Sequence, residues 1–124
     1  VSSPTFGGSG WKPPTDPRLE PLAWYEGNSL NALHPVGKKM PNAWGFFDMH
    51  GNVWEWCNDF YAKKGARAET VAVDPAGPST GVARVLRGGS CYQPSEACRS
   101  ALREYGAPLV DRDREFGFRV ACDP

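Results

Sequence analysis

The run Asn42-Ala-Trp-Gly-Phe-Phe-Asp-Met-His-Gly-Asn-Val-Trp-Glu-Trp-Cys57 concentrates three tryptophans, two phenylalanines, two glycines and two carboxylates in sixteen residues. So much aromatic area in so short a span predicts the centre of a core. From Val53 onward Trp54 and Trp56 alternate with Glu55, the period of a strand that sends both indoles to one face and the carboxylate to the other. Ahead of it, Asp48-Met-His-Gly-Asn52 reads as a turn, because Gly51 accepts positive φ and the Asp48 and Asn52 side chains bond turn backbone. A carboxylate then stands at each end of the turn. Two readings are open. Asp48 and Glu55 converge with the intervening carbonyls into an all-oxygen site for a hard cation such as calcium, or Asp48 caps the turn while Glu55 pairs with an arginine.

Outward from this stretch the chain is sparse. Its 124 residues carry no repeat and no apolar run long enough to span a bilayer, so one small soluble domain is expected, a monomer without membrane insertion. No signal peptide or transmembrane segment is visible, which leaves the compartment open. Fourteen basic and fourteen acidic side chains cancel, and no basic cluster is present to neutralise phosphates, which argues against nucleic acid as a partner. Fourteen glycines and twelve prolines set loops above regular elements, while five tryptophans, four tyrosines and six phenylalanines supply burial without long helices.

Residues 1–16, rich in glycine, proline and hydroxyls, are expected to be a flexible N-terminal segment with Trp11 as an anchor; residues 17–124 form the domain. Leu19 to Asn31 reads as a short helix or turn, and His34-Pro35-Val36-Gly37 as an extended crossing. His34 and His50 lack transition-metal spacing and read as turn or core hydrogen bonders. Lys63 to Arg67 and Val71 to Gly81 are loops, and Arg84 to Arg87 is a strand. Gly88-Gly89 then bends or meets another backbone closely. Phe116 to Ala121 alternates as a last strand, with Phe118 and Val120 on a core-facing side and Arg119 opposite, a partner for Glu55 or a neighbouring carboxylate.

Four motifs in order, the Asn42–Cys57 run, Arg84-Val-Leu-Arg-Gly-Gly-Ser90, Cys98-Arg-Ser-Ala101 and Gly117-Phe-Arg-Val120, resemble the formylglycine-generating enzyme or sulfatase-modifying factor family. The likeness covers only the C-terminal part of the usual family domain; the upstream helical half, with its Leu-Pro-Thr-Glu-Ala-Glu-Trp-Glu signature, is not seen. It implies an α+β fold, a loop-rich C-type lectin-like variant with few short strands and little helix. It also implies calcium, bound by the residues matching Asp48 and Glu55 and the carbonyls matching Gly51 and Val53.

The family's copper-binding cysteines fall three residues after the Gly-Gly-Ser serine and five further on, positions held here by Gln93 and Cys98. Cys91 is displaced from the first position, so the redox pair is not reproduced, and Cys91 and Cys98 read as structural thiols. Between the motif residues, Tyr92, Leu102, Glu104, Tyr105, Ala107, Leu109 and Val110 follow neither a helical nor a strand period. Their layout resembles the variable proteins of diversity-generating retroelements, in which a rigid frame carries a varied C-terminal binding site. Two functions follow from the resemblance. One is a non-catalytic binding protein whose site lies on residues 91–115 and takes a protein or small-molecule ligand. The alternative is a fragment or subunit of a formylglycine-generating-type copper oxidase.

Overall fold

In a computed structural model, residues 13–62 and 77–121 are described. Trp11, the lysine-rich loop from residue 63 and most of the 71–81 loop lie outside them, as does the expected flexible segment through residue 12. Four short strands carry the regular structure: β1 at Trp54–Phe60, β2 at Arg84–Arg87, β3 at Glu104–Gly106 and β4 at Phe116–Gly117. One 3₁₀ turn at Ser95–Cys98 joins β2 to β3. Loops fill the remainder, in line with the α+β, loop-rich expectation. Leu19 to Asn31, open between helix and turn in the sequence, is a series of turns.

The sheet order is β3-β2-β1-β4. β1 runs antiparallel to β2 with Glu55 opposite Arg87 and Trp56 opposite Leu86, and the register shifts before Phe60 meets Arg84. Such a bulge bends the strand and re-aims the side chains beyond it. β4 lies parallel to β1 over two pairs only, Trp54 with Phe116 and Glu55 with Gly117. Trp54 is 4% exposed, whereas Trp56 is half-buried with its ring edge-on to Phe116 at 5.5 Å.

The expected core-facing stripe of the last element does not form. Phe118 is 77% exposed and Val120 is exposed too, because the chain leaves the sheet after Gly117 and no described element covers that side. The apolar interior consists instead of Ala23, Tyr25, Trp54, Val85, Leu86, Cys91 and Cys98.

Polar side chains tie the loops to this interior. Asn52, almost fully buried, is a hub: its Oδ1 accepts the His34 N–H at 3.0 Å, its Nδ2 donates to the His34 carbonyl at 3.0 Å, and its backbone bonds Trp24 and Cys91. Buried amide and hydroxyl groups need such partners, and a fully satisfied hub fixes one arrangement of the loops. Ser29 Oγ donates to the Cys91 carbonyl at 2.6 Å, joining the first turns to the segment after β2. His34 stacks on Trp24 with centroids 3.6 Å apart and bonds the Ser29 carbonyl, while His50 bonds the Cys98 carbonyl. Both histidines therefore serve as structural hydrogen bonders.

Candidate functional site

Two regions collect the residues singled out in the sequence. The first is an open cleft of about 490 Å³ whose walls include Asp48, Gly51, Val53 and Glu55 together with Phe46, Phe47, Phe118 and Arg119. The turn that builds it is wound through positive φ at Asp48 (54°), Gly51 (71°) and Asn52 (61°). Asp48 Oδ2 accepts the Gly37 N–H at 2.7 Å, so this carboxylate staples the 36–37 crossing to the turn. Glu55 is held by Arg119 through both oxygens, Nε to Oε2 at 3.0 Å and Nη2 to Oε1 at 2.6 Å. Arg119 Nη2 also donates to the carbonyls of Phe47 and Asp48 at 3.0 and 3.2 Å.

Of the oxygens in the expected ligand set, the Arg119 guanidinium bonds those of Glu55; its carbonyl partners are Phe47 and Asp48, not Gly51 and Val53. The donor set is all oxygen, which suits calcium, and the four expected ligand residues share one cleft. Of the two sequence readings, the pairing of Glu55 with an arginine and the bonding of loop backbone by Asp48 are seen.

The second region is the free edge of the sheet and the turn beyond it. Glu104 and Tyr105 lie on β3 opposite Leu86 and Val85. Beyond β3 the Ala107 carbonyl accepts from Val110 and Asp111, closing a turn that turns Leu109 outward at 91% exposure, with Val110 exposed beside it. Tyr105 is 54% exposed. The edge is blunted by carboxylates: Glu104 Oε1 accepts the Tyr105 N–H at 3.1 Å, and Asp111 Oδ2 accepts the Ala107 N–H at 2.6 Å. Capped edge donors resist unwanted strand pairing.

The remaining expected residues sit differently. Leu102 is half-buried and its carbonyl takes the Arg87 guanidinium at 2.6 Å, which makes it a link between frame and face. Tyr92 is half-buried in the turn after Ser90, with the Arg114 guanidinium 4.8 Å over its ring. Three residues not singled out from the sequence join this region. Tyr61 packs against Tyr105 with centroids 4.5 Å apart, Arg103 lies over Tyr61, and Arg114 lies over Tyr92. The signal for Tyr61 was its place at the end of β1, two strands away from β3, which only the sheet order converts into proximity.

The frame between the regions is tight. Ser90 Oγ donates to the Glu115 carboxylate, so the Gly88-Gly89-Ser90 bend is fastened to the segment entering β4. Cys57, Cys91 and Cys98 are free thiols, the last two buried. Burial pushes all three thiols up from their ordinary range, Cys98 to about 11. A thiol held protonated is a poor nucleophile and a poor metal ligand.

Residues 11–124 match the Sulfatase-modifying factor enzyme 1-like domain. The chain is 44% identical over 92 residues to the formylglycine-generating enzyme of Streptomyces coelicolor, a match covering 72% of this chain and 29% of that protein. Among solved structures, Treponema denticola variable protein 1 is similar with a TM-score of 0.80 and 41% identity, covering 89% of this chain and 39% of that one. PvdO from Pseudomonas aeruginosa follows with a TM-score of 0.64 and 30% identity, covering 94% and 42%. The chain therefore spans well under half the length of each of these relatives.

Proposed function

Because the chain belongs to the sulfatase-modifying factor family, we propose that it uses the family scaffold as a non-catalytic ligand-binding protein of the retroelement variable-protein kind, with its site on residues 91–115. The scaffold is C-type lectin-like, the loop-rich α+β arrangement it shares with Treponema denticola variable protein 1. The observation that carries the reading is the contrast between frame and face. Val85, Leu86, Ser90, Cys91 and Cys98 are buried, while Tyr105, Leu109 and Val110 stand exposed beside them.

Irregular exposed side chains on a rigid support are what an adaptable binding surface requires. Glu104, Tyr105, Ala107, Leu109 and Val110 form the continuous part of this surface, Tyr92 and Leu102 its supports, and Tyr61, Arg103 and Arg114 extend it with aromatic and guanidinium groups of the kind that anchor interfaces. The ligand is a protein or small molecule. Calcium, when bound, would be held by Asp48, Glu55 and the carbonyls of Gly51 and Val53, where it would supply stability to the turn.

The identity to a formylglycine-generating enzyme favours a second reading, in which this polypeptide is part of a copper oxidase. Against it stand the displaced Cys91 and the raised thiols, since copper(I) is bound by thiolate. Sequencing the gene from independent isolates tests the first reading: substitutions should concentrate at residues 92, 102, 104, 105, 107, 109 and 110 and spare Gly88–Ser90 and Gly117–Arg119. Invariance at those seven positions counts against it. Incubation with copper and a peptide carrying the sulfatase cysteine motif should leave that cysteine unconverted by mass spectrometry, and formation of formylglycine would restore the oxidase reading.

A further inference from the structure

The charged groups around β3 are unevenly matched. The carboxylates between residues 104 and 115 are all engaged within the chain: Glu104 accepts the Tyr105 N–H, Asp111 the Ala107 N–H, Asp113 the Glu115 N–H, and Glu115 the Ser90 hydroxyl. The guanidiniums beside them are not. Among the described residues the ion pairs are Arg18–Asp16 and Arg119–Glu55, so Arg103 and Arg114 have no carboxylate partner there; each lies over a tyrosine ring instead.

Arg103 is the better placed of the two. It stands two residues before Tyr105 where β3 begins, the spacing that puts side chains on one face of a strand, and both meet the Tyr61 ring. The Tyr61 centroid is 4.5 Å from that of Tyr105 and 5.4 Å from the Arg103 guanidinium carbon. Contact through the face of a ring spends none of a guanidinium's N–H donors and restricts its rotation, so the planar fork is pre-organised for a bidentate acceptor. A carboxylate is the acceptor whose two oxygens match that fork. Arg103 is exposed, and the turn directly beyond β3 presents the exposed Leu109 and Val110, so a polar anchor and an apolar one flank the same edge strand.

Resting on the binding-face reading above, we propose that the ligand of this face is an acidic polypeptide segment. The Arg103 fork takes an aspartate or glutamate carboxylate beside the Tyr61–Tyr105 pair, and an apolar side chain of the same segment packs on Leu109 and Val110. Tyr61 and Arg103 lie outside the seven positions assigned to the varied face, so the demand for a carboxylate belongs to the support and persists whatever stands at positions 109 and 110. Glu104 and Asp111 set a second condition. Their charges repel a run of acids, since like charges brought together across an interface are costly, and so favour one carboxylate between apolar residues.

The test pans a phage-displayed library of random peptides against the immobilised full chain and measures the selected peptides by calorimetry. Peptides with one acidic residue flanked by apolar ones are expected to dominate the selection. Replacing the peptide's acid by its amide, or Arg103 by Gln or Lys in the protein, should each weaken binding about tenfold or more. Arg103→Lys keeps the charge and loses the fork, which separates bidentate capture from simple attraction. The amide peptides decide the matter on the unaltered protein even if an Arg103 variant misfolds. Peptides that lack an acid, ignore Arg103→Gln and yet need Leu109 and Val110 would overturn the acidic ligand and leave the binding face standing. Peptides indifferent both to Arg103→Gln and to Leu109→Ala with Val110→Ala, or no selection at all, would overturn both. Displacement of the peptides by inorganic phosphate in preference to acetate would assign the fork to phosphate and overturn the proposal as well.

Discussion

The Arg119 guanidinium grips both carboxylate oxygens of Glu55 across 64 residues of sequence and reaches on to the carbonyls of Phe47 and Asp48. This one side chain closes the β4 tail over the turn that precedes β1. The pair is partly solvent-exposed, so its worth is limited by screening and by side-chain entropy. Arg119→Ala should cost about 1 kcal/mol when measured in the presence of a chelator. Calcium, competing for the Glu55 oxygens, should reduce that loss, and chelation should lower the melting temperature of the unaltered protein by mass action. Melting curves of both proteins in chelator and in millimolar calcium decide this; superimposable curves for the unaltered protein would remove calcium from the account.

Large side chains of β1 and of the tail after β4 should respond very unequally to truncation. Trp54 is buried within the sheet, and Trp54→Ala should cost roughly 3–5 kcal/mol through lost burial and the cavity left behind. Phe118, being exposed, should lose about 0.5 kcal/mol or less on truncation to alanine. The combined Tyr105→Ala, Leu109→Ala and Val110→Ala protein should stay close to the unaltered one. Urea unfolding gives all three values, and a triple variant as unstable as Trp54→Ala would make the 104–110 segment core packing and sink the binding face.

How much of this was legible beforehand depends on the range of the interaction. Local chemistry was readable: the alternation at Trp54-Glu55-Trp56 gave a strand, and Gly51 gave a positive-φ turn, observed at 71°. Even the Arg119 partnership with Glu55 was within reach, because opposite charges flank two alternating elements. Phe118 was misplaced because alternation tells that two faces differ, and cannot tell which face another element will cover. β4 stops after two pairs, although the alternation of its sequence continues to Val120. The Tyr61–Tyr105 contact depends on a bulge in β1 and on a strand order in which β2 intervenes, neither of which leaves a local mark. Asn52 read as a turn former, yet its four bonds go to Trp24, His34 and Cys91, partners that exist only once the loops converge.

Burial of Cys98 should appear as an alkaline weakness. Its thiol is pushed up to about 11, chiefly because desolvation penalises the thiolate. The folded state thus keeps its proton above the pH at which the unfolded chain loses it, near 9. Stability from this group is complete below about pH 9 and declines as pH rises through 11, by at most about 3 kcal/mol. Urea unfolding at pH 8.5 and 10.5 should show a drop that is smaller in Cys98→Ala, the comparison that separates this thiol from tyrosines titrating in the same range. An equal drop in both proteins would mean that Cys98 does not carry the effect.

Gly45 and Gly51 offer the sharpest comparison, because both take positive φ, at 82° and 71°, in very different surroundings. A Cβ at Gly45 would meet nothing within 4 Å, so Gly45→Ala carries only the intrinsic penalty of a left-handed residue, about 1–2 kcal/mol. At Gly51 the same carbon would stand 2.1 Å from the Trp24 carbonyl oxygen, a backbone atom that cannot swing aside as a side chain does. Relief requires the Trp24 backbone to retreat, which stretches the 2.7 Å bond from Asn52 N–H to that same oxygen and loosens the Asn52 hub. Gly51→Ala should therefore cost about 3 kcal/mol or more, the left-handed penalty plus the broken contact. It should also weaken any calcium response, since the Gly51 carbonyl belongs to the expected ligand set. Chemical denaturation of the two variants side by side provides the measurement. Equal losses would show that the Trp24–Gly51 approach is looser than the structure has it, and that the turn is held by conformation alone.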